Sequence, residues 1–449
     1  MRFFKLIIFF TLMPILLTAQ SLLTMDEAIK IALSKNTDVN KGANSIESAK
    51  SNLNAANGNL LPNISASAGW SWTRSDDEGS ERNIGGTIIS VPASKTESRG
   101  YSASVRSDLN LFDGLASWKN INIKEYDLES SSLTLKRIRQ NVAFRTIQYY
   151  YSVANAIEQV KVREENLKWN QKNLEIISER NKLGAVTMAD VLQQQVRVGQ
   201  AELDLLKAKN SLETAKSDLL YYLGLEVTEN YAFENPSKDL VNVVKTIDDY
   251  DIKTDDLNTI INQAMKQRLD YKSAKYDLMS AEENISIQSA GHMPSLNNSI
   301  SYNLNGNEIG KLFDSRTLNV ALSLSIPIFS GYSVTNRVQI AEIQKKNVEI
   351  DIRDLERQIR KELQKTVLDL ELSIKQVEVS VRNVKAAEEN RKIEEEKYTL
   401  GATTLLNVLI ANSDYLDALT TYINSKFQYT VLKQQLEFYI GTIDRGALN

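Results

Sequence analysis

The sequence predicts an internally duplicated fold that combines strands of a transmembrane β-barrel with very long helices. Three observations lead to this prediction. Residues in the two halves of the chain match at constant offsets, four segments alternate apolar and polar residues, and two long segments contain neither glycine nor proline. Alternation over about ten residues is typical of barrel strands, and long segments free of helix breakers allow long helices.

The N-terminus has the pattern of a secretory signal. Arg2 and Lys5 flank an almost wholly apolar run from Leu6 to Leu17, and the small residue Ala19 follows. A charged start, an apolar run too short to span a bilayer and a small-residue cleavage point predict a signal peptide over residues 1–19. The mature protein is therefore expected to be exported.

Self-comparison divides the rest of the chain into two copies of one unit. Three matched residue pairs are separated by the same number of positions along the chain, and two matched tripeptides further along are separated by slightly fewer. The first copy therefore carries an insertion of roughly 15 residues between the pairs and the tripeptides. The pairs are Ala32 with Ala264, Asp38 with Asp270 and Pro62 with Pro294, and the tripeptides are 112–114 and 329–331. We predict copies at 20–230 and 253–440, a connecting or equatorial segment at 231–252, and a tail at 441–449. The polar segment 74–99 is predicted to be the inserted loop.

Four strands are predicted from period-two alternation, at about 63–73, 101–112, 295–305 and 317–328. Their polar positions hold mainly serine and asparagine rather than lysine and glutamate, which suits a water-filled lumen opposite a lipid-facing side. The candidates for aromatic residues at the membrane interface are Trp70, Trp72, Tyr101 and Tyr302. A half-buried soluble sheet would show the same alternation, and that alternative stays open.

The long helices are predicted at 115–183 and 332–400, two segments of equal length that contain neither glycine nor proline. At about 1.5 Å per residue each would be roughly 100 Å long. Apolar residues spaced 4 and 3 apart from Leu363 to Val384 form a heptad seam that needs other long helices as partners. Tight turns at 183–187 and 400–404 precede shorter helices, predicted at about 187–223 and 403–440.

Barrel closure requires more strands than one chain supplies. Open strand edges are excluded from lipid, and eight strands make about the smallest barrel. Two copies would give eight strands and a filled interior, whereas three copies would give twelve strands and a lumen. The sequence therefore favours a homotrimer inserted in outer membrane lipid.

Composition excludes several other classes of protein. The chain has no cysteine and one histidine, His292, so thiol catalysis is excluded and a metal site or cofactor is not expected. A net charge of -4 argues against a nucleic-acid partner. No catalytic motif is present, so no enzyme activity is predicted. A coiled-coil structural protein would not need the four strands, and a general porin would lack the long helices.

The order helix, two strands, long helix, Leu-Gly turn and helix, given twice, resembles the TolC-type outer membrane efflux proteins. The resemblance is carried by residues 110–114 with 327–331 and by the turns 183–187 and 400–404. It implies a trimer with a 12-stranded β-barrel and a 12-helix periplasmic α-barrel in the outer membrane of a Gram-negative bacterium. It also implies a tripartite efflux or type I secretion role, in which a periplasmic adaptor protein links the channel to an inner-membrane transporter.

The resemblance further implies two sets of site residues. The expected adaptor-docking tip comprises Leu183, Gly184, Ala185, Thr187, Leu400, Gly401, Ala402, Thr403 and Thr404. The expected periplasmic gate comprises Asp190, Tyr398 and Asn407. A tip without a partner and a purely helix-stabilising Asp190 are the alternatives. Thr403, Asn407 and Ile410 stand where some members of the resembled family have an arginine and a double aspartate ring, so a gate held by hydrogen bonds or apolar contact is expected. Nothing in the sequence indicates the cargo.

Overall fold

The computed structural model describes residues 22–228, 231–234 and 257–443. The predicted signal peptide (1–19) lies outside these residues, as do most of the connecting segment and the tail beyond residue 443. The helices are α1 (Met25–Lys35), α2 (Thr37–Gly58), α3 (Ala116–Lys182), α4 (Met188–Leu223), α5 (Leu257–Gln267), α6 (Leu269–Ser289), α7 (Ser333–Thr399) and α8 (Leu405–Ile440). The strands are β1 (Leu22–Leu23), β2 (Asn63–Asp77), β3 (Ser80–Ile84), β4 (Thr87–Val91), β5 (Ser94–Phe112), β6 (Ala232–Phe233), β7 (Ser295–Gly306) and β8 (Ser315–Ser325).

The chain divides into two compact units, which we call the strand unit and the helical unit. The strand unit contains residues 41–137 and 268–358, and the helical unit contains the described residues of 22–40, 138–267 and 359–443. The helices α3 and α7 contribute residues to both units. Among the described helices, none combines the length and apolar character needed to cross a membrane.

The strand unit is built around an antiparallel sheet in the order β2-β5-β7-β8. Its alternation separates two faces. The polar face carries serine, asparagine, threonine and glycine at most positions, whereas the opposite face carries isoleucine, leucine, valine and aromatic residues. The apolar face is exposed in the protomer. Ile64, Val320 and Leu322, for example, are each more than 60% exposed.

The prediction of a loop at 74–99 was wrong. The strands β2 and β5 pair through Asp77 and Ser94, and β3 and β4 form a further hairpin between them. Backbone hydrogen bonding continues through this segment although its side chains no longer alternate. Residues 74–99 are exposed, and a strand that packs neither face against an apolar surface needs no apolar face. At the other edge, β8 ends at Ser325, three residues before the predicted end, and Pro327 lacks the N–H that a continuing ladder would use.

Each long helix begins one residue later than predicted, for the same reason in both copies. Leu115 has φ 70° and Tyr332 has φ 63°, and each follows a glycine that is also left-handed, Gly114 or Gly331. Two consecutive left-handed residues reverse the chain between strand and helix, so the helical conformation starts at Ala116 and Ser333.

The N-terminal helix of each copy, predicted as one element, is two. Helix α1 ends at Lys35, and the next residue, Asn36, has an extended backbone and a side chain that accepts a hydrogen bond from the Asp38 backbone N–H at 2.8 Å. Arg268 plays the corresponding part between α5 and α6, again with extended backbone. A single extended residue between two helices changes the direction of the chain without a loop.

The core of the helical unit contains the predicted heptad seam. Leu363, Val367, Leu370 and Val377 are almost fully buried. At one edge of this unit, β1 and β6 pair in parallel, and the Tyr150 hydroxyl contacts both of the chain segments that form them. It lies 3.0 Å from the Leu23 carbonyl oxygen and 2.9 Å from that of Glu234. Burial, followed by the nearby Glu234 carboxylate, raises the pKa of Tyr150 to about 12.

Candidate functional site

The two Leu-Gly turns have the same backbone geometry. Gly184 and Gly401 are left-handed, with φ of 72° and 74°. In each turn the glycine N–H and the following alanine N–H donate to carbonyls of the preceding helical turn, at 2.9 Å for Ala185 to Arg180 and 2.8 Å for Ala402 to Lys397. This 6→1 pattern is a Schellman motif, in which glycine avoids the steric cost of the left-handed region.

Both tips expose apolar side chains. Leu183 and Leu400 are 84% and 83% exposed. Of the nine predicted docking residues, all are exposed except Thr403, which is half-buried. Two highly exposed leucines at equivalent positions of the two copies are not explained by packing within the protomer.

Below the turns, a small apolar cluster holds together the two helical hairpins, α3–α4 and α7–α8. Ile177 of α3 is buried with Leu405 and Leu409 of α8, and further side chains from α3, α4 and α7 and from the first turn pack against them. These are Trp169, Val186, Val191 and Tyr398. Because the cluster contains residues from both copies, the tips of the two hairpins are neighbours within one chain.

A polar connection that sequence reasoning missed also links the two tips. The Arg180 guanidinium donates to the backbone carbonyls of Tyr398, at 3.3 Å, and Thr399, at 2.8 Å. It also lies over the Tyr398 ring, 5.4 Å from its centroid. We call this set of contacts the tip tie. The only sequence signal was an arginine in the last turn of a helix, which usually interacts with its own helix C-terminus rather than another one.

Asp190 is a helix-capping residue in the protomer. Its carboxylate accepts hydrogen bonds from the Thr187 N–H at 3.0 Å and the Thr187 hydroxyl at 2.7 Å, while the Thr187 hydroxyl oxygen accepts from the Asp190 N–H. This reciprocal arrangement is a capping box at the start of α4. The alternative of Asp190 as a first-turn stabilising acid therefore has direct geometric support.

Tyr398 and Asp190 are electrostatic neighbours without a hydrogen bond between them. The Tyr398 hydroxyl is buried and makes no hydrogen bond to Asp190. Burial is the largest cause of the raised pKa of Tyr398, and the negative charge of Asp190 adds to it, while the Arg180 guanidinium beside it acts to lower the pKa of Tyr398. The structure thus brings together two of the three predicted gate residues.

Asn407, the third predicted gate residue, belongs to a different hydrogen-bonded chain. Its side-chain amide donates to the Thr403 hydroxyl at 2.9 Å, and that hydroxyl donates to the Glu394 carboxylate at 2.9 Å. The pKa of Glu394 is lowered first by a hydrogen bond from Lys397 and then by the one from Thr403. Thr403 thus anchors the α7–α8 turn to its own hairpin, and Ile410, one turn further, is half exposed.

Deeper in the helical unit, a buried set of amide side chains connects α3, α4 and α8. Gln194 donates to the Asn170 side chain at 3.1 Å, Asn170 donates to Asn166 at 3.0 Å, and Asn412 donates to Asn166 at 3.1 Å. All four are nine-tenths or more buried. Buried amides fix helix register because a shifted register would leave them unsatisfied. Sequence reasoning missed them because each stands among other polar residues of its helix, and nothing in the sequence distinguishes the buried ones.

The predicted interface aromatics lie on the apolar face, but at different levels. Trp70 pairs directly with Tyr101, and Trp72 lies two residues further along the same strand. Tyr302 pairs with Val105 and Leu318, four residues from the Trp70–Tyr101 level. At about 3.3 Å per residue this is roughly 13 Å along the strands. The register therefore separates Tyr302 from the other three residues and places it near the middle of the apolar band.

Comparisons with known proteins agree across most of the chain. The family model described as outer membrane efflux protein matches residues 28–225 and 260–442. Outer membrane protein TolC of Escherichia coli (strain K12) is 21% identical over 425 residues, covering 92% of this chain and 81% of that protein. The solved structure of CusC has a TM-score of 0.76 at 17% identity, covering 93% of this chain and 92% of that one. The CmeC outer membrane channel of Campylobacter jejuni has a TM-score of 0.75 at 17% identity, with 93% and 85% covered.

Proposed function

The chain belongs to the outer membrane efflux protein family, whose members are channel proteins rather than enzymes, and on that premise we propose a trimeric assembly with docking and gating at the Leu-Gly tips. Its role is that of an outer membrane channel for efflux or secretion, with a helical periplasmic portion. The proposed partners are two further copies of the chain, a periplasmic adaptor protein and, through the adaptor, an inner-membrane transporter.

The observation that supports a trimer is the four-stranded sheet itself. Strands β2 and β8 are its two edges, and neither edge is paired with another described strand. One face is apolar and exposed and the other is polar, as lipid outside and water inside would require. Since lipid excludes unpaired strand edges, β2 of one copy must pair with β8 of the next. Three copies give twelve strands and a lumen.

The exposed tips support adaptor docking. Leu183 and Leu400 occupy equivalent positions in two copies of one motif, so a trimer presents six similar apolar contacts in a ring. A partner with six equivalent hairpins or a hexameric contact surface matches that arrangement. Both turns are rigid, because each is closed by a Schellman motif, and a rigid apolar surface binds without a large ordering cost.

Gate closure is proposed to rest on hydrogen bonding and apolar contact. Tyr398 has a buried hydroxyl that lies near Asp190 and Arg180, while Asn407 is held through Thr403. Neither Asn407 nor Ile410 brings a negative charge, so the tip lacks a double acidic ring at those positions. A closed tip of this composition does not bind cations through such a ring.

Adjacent residues on β8 provide a matched test of the assembly. Leu318 lies on the apolar face and Asn319 on the polar face, one residue apart in the same strand. An arginine on the lipid side costs about 2–4 kcal/mol near the middle of the membrane, whereas one on the lumen side is solvated. Leu318→Arg should reduce the recovery of detergent-extracted trimer from outer membranes, and Asn319→Arg should not.

Native mass spectrometry of the protein extracted from outer membranes would count the copies. The proposal requires three. A detergent-free, water-soluble monomer, or equal tolerance of Leu318→Arg and Asn319→Arg, would contradict it, because the two faces would then not differ in environment.

A further inference from the structure

The polar face of the sheet is almost free of charge. Along β2 and β5 it runs through Ser, Gly and Asn, and along β7 and β8 through Ser, Asn, Thr and Ala. In the four strands the charged residues on this face are Arg106, Asp108 and Asp77. Asp77 pairs with Ser94 at the far end of β2, about 46 Å along the strand from Asn63, which is beyond the apolar band. Arg106 and Asp108 alone therefore lie at the level of that band.

These two residues form an ion pair on the polar face. They occupy alternate positions of β5, and the Arg106 Nε lies 2.7 Å and 2.9 Å from the two carboxylate oxygens of Asp108. Arg106 is opposite Ser65 and Ser301, and Asp108 is opposite Asn63 and Ser299. No other charged side chain of the described strands faces them. Both side chains are about half exposed in the protomer, so water reaches them.

The pair lies beside a cavity of about 620 Å³ at the end of the sheet where α2 leads into β2. Hydroxyl and amide side chains line it together with the ion pair, among them Asn63, Asn110 and Ser299. The corresponding positions of the second copy, at the offset of the two tripeptides, are Ser323 and Ser325. The charges thus occur once per chain, and three pairs would surround the lumen of a trimer.

We infer that the Arg106–Asp108 pair keeps the barrel wall electrically neutral, so that the membrane-embedded part of the channel passes cationic, anionic and uncharged solutes without selecting by charge. This inference rests on the proposed trimeric channel and deepens it. Two opposite charges about 3 Å apart largely cancel at the distance of a passing solute. Either charge alone would instead be repeated in each copy of the trimer and form a ring of three like charges around the lumen. Charge discrimination must then arise elsewhere along the path.

The chain contains no cysteine, which allows a direct measurement of the potential at this level. Ser299→Cys places a thiol on the polar face opposite Asp108, and Val105→Cys places one on the apolar face as a control. Trimers in lipid vesicles are exposed to a cationic reagent, trimethylammonium-ethyl methanethiosulfonate, or an anionic one, sulfonatoethyl methanethiosulfonate. Both enter through the outer mouth, so a closed tip does not affect the measurement. The readout is the ratio of the anionic to the cationic reaction rate.

With Ser299→Cys, the ratio should rise about three- to sevenfold when Asp108→Asn is added, and fall by a similar factor when Arg106→Gln is added. These factors follow from one unit charge about 7 Å away in water at roughly 10 mM salt. The double variant Arg106→Gln/Asp108→Asn should return the ratio to that of the intact pair. At about 1 M salt all four ratios should converge, because the Debye length falls to about 3 Å.

Two outcomes are decisive in different ways. Ratios that stay within 1.5-fold of each other at low salt, with Ser299→Cys reactive, would overturn the inference and leave the channel intact. If Ser299→Cys reacted no faster than Val105→Cys with either reagent, the polar face would not line a water-filled lumen. In that case the proposed function itself would fail.

Discussion

Replacing Arg180 by glutamine should loosen the tip tie. The substitution removes one charge-assisted hydrogen bond of 2.8 Å to Thr399, a longer one of 3.3 Å to Tyr398, and the stacking of the guanidinium on the Tyr398 ring. Hydrogen bonds from charged groups contribute about 1.5–3 kcal/mol when buried, and less here because one of the two is solvent-exposed. With about 0.5 kcal/mol for the cation–π contact, we expect a total loss of about 2 kcal/mol.

A loss of this size corresponds to roughly a 30-fold change in the opening equilibrium of the last turn of α7. Hydrogen–deuterium exchange measures it directly at the amides of Leu400, Gly401 and Ala402, whose hydrogen bonds close that turn. Exchange there should accelerate by up to about 30-fold in Arg180→Gln. Amides in the middle of α7 should not change, because they open only with the whole helix.

Lys397 provides a matched control. It is the equivalent of Arg180 in the second copy, at the offset that relates the two Leu-Gly turns, but its half-exposed side chain pairs at 2.8 Å with Glu394 of its own helix rather than with the other hairpin. Ion pairs with a solvent-exposed partner contribute about 0.2–1 kcal/mol. Lys397→Gln should therefore change exchange by less than about sixfold, against about 30-fold for Arg180→Gln. Equal effects of the two substitutions would refute the tie between the hairpins, since the loss would then reflect charge alone.

Three further predictions concern the tips and the β1–β6 edge. Gly184→Ala should lower the free energy of unfolding by about 1 kcal/mol, because the φ of Gly184 is 72°. Gly199→Ala, in the middle of α4 with open space around it, should raise the free energy of unfolding by a similar amount, and thermal denaturation compares the two variants. Asp190→Ala should lower the free energy of unfolding by about 1 kcal/mol, because it removes the capping box. If Asp190 is a gate residue, the substitution should also raise single-channel conductance in bilayers, and unchanged conductance would show that Asp190 acts only as a helix cap. Tyr150→Phe should lower the free energy of unfolding by about 1–3 kcal/mol, because the hydroxyl contacts are lost. The pKa of Tyr150 is raised in the folded state to about 12, so its contribution to stability should be complete below about pH 10 and be lost as the pH rises through 12. Denaturation midpoints measured across that pH range would test this.

The duplication could be predicted because the two halves of the sequence match at constant offsets, and the strands because alternation is a local signal. Alternation marked the lipid-spanning part of each strand, where one face needs apolar residues and the other polar ones. The same rule failed at 74–99, where β2 and β5 continue beyond the apolar band and carry polar residues on both faces. Pairing there is set by backbone hydrogen bonds, which leave no pattern in the side chains.

The candidate site was only partly predictable. The positions of Gly184 and Gly401 followed from the sequence, because a reversal after a long helix favours a residue that tolerates positive φ. Arg180 could not be identified, because nothing in its own helix indicates that its partners are the carbonyls of Tyr398 and Thr399, which belong to the other copy of the repeat. The same holds for the buried amides Asn170 and Gln194, whose partners come from different helices.

The sequence alone determined the periods, the breaks and the repeat, and with them the identity and order of the elements. Periods and breaks depend on neighbours along the chain, and the repeat is visible when the two halves of the sequence are aligned. Only the tertiary structure decided which elements meet and at what level. The register between β5 and β7 placed Tyr302 away from Trp70 and Tyr101, and the packing of the hairpins brought Arg180 to Tyr398. Such contacts are decided by the fit of surfaces distant in sequence, and a one-residue change of register would alter every one of them.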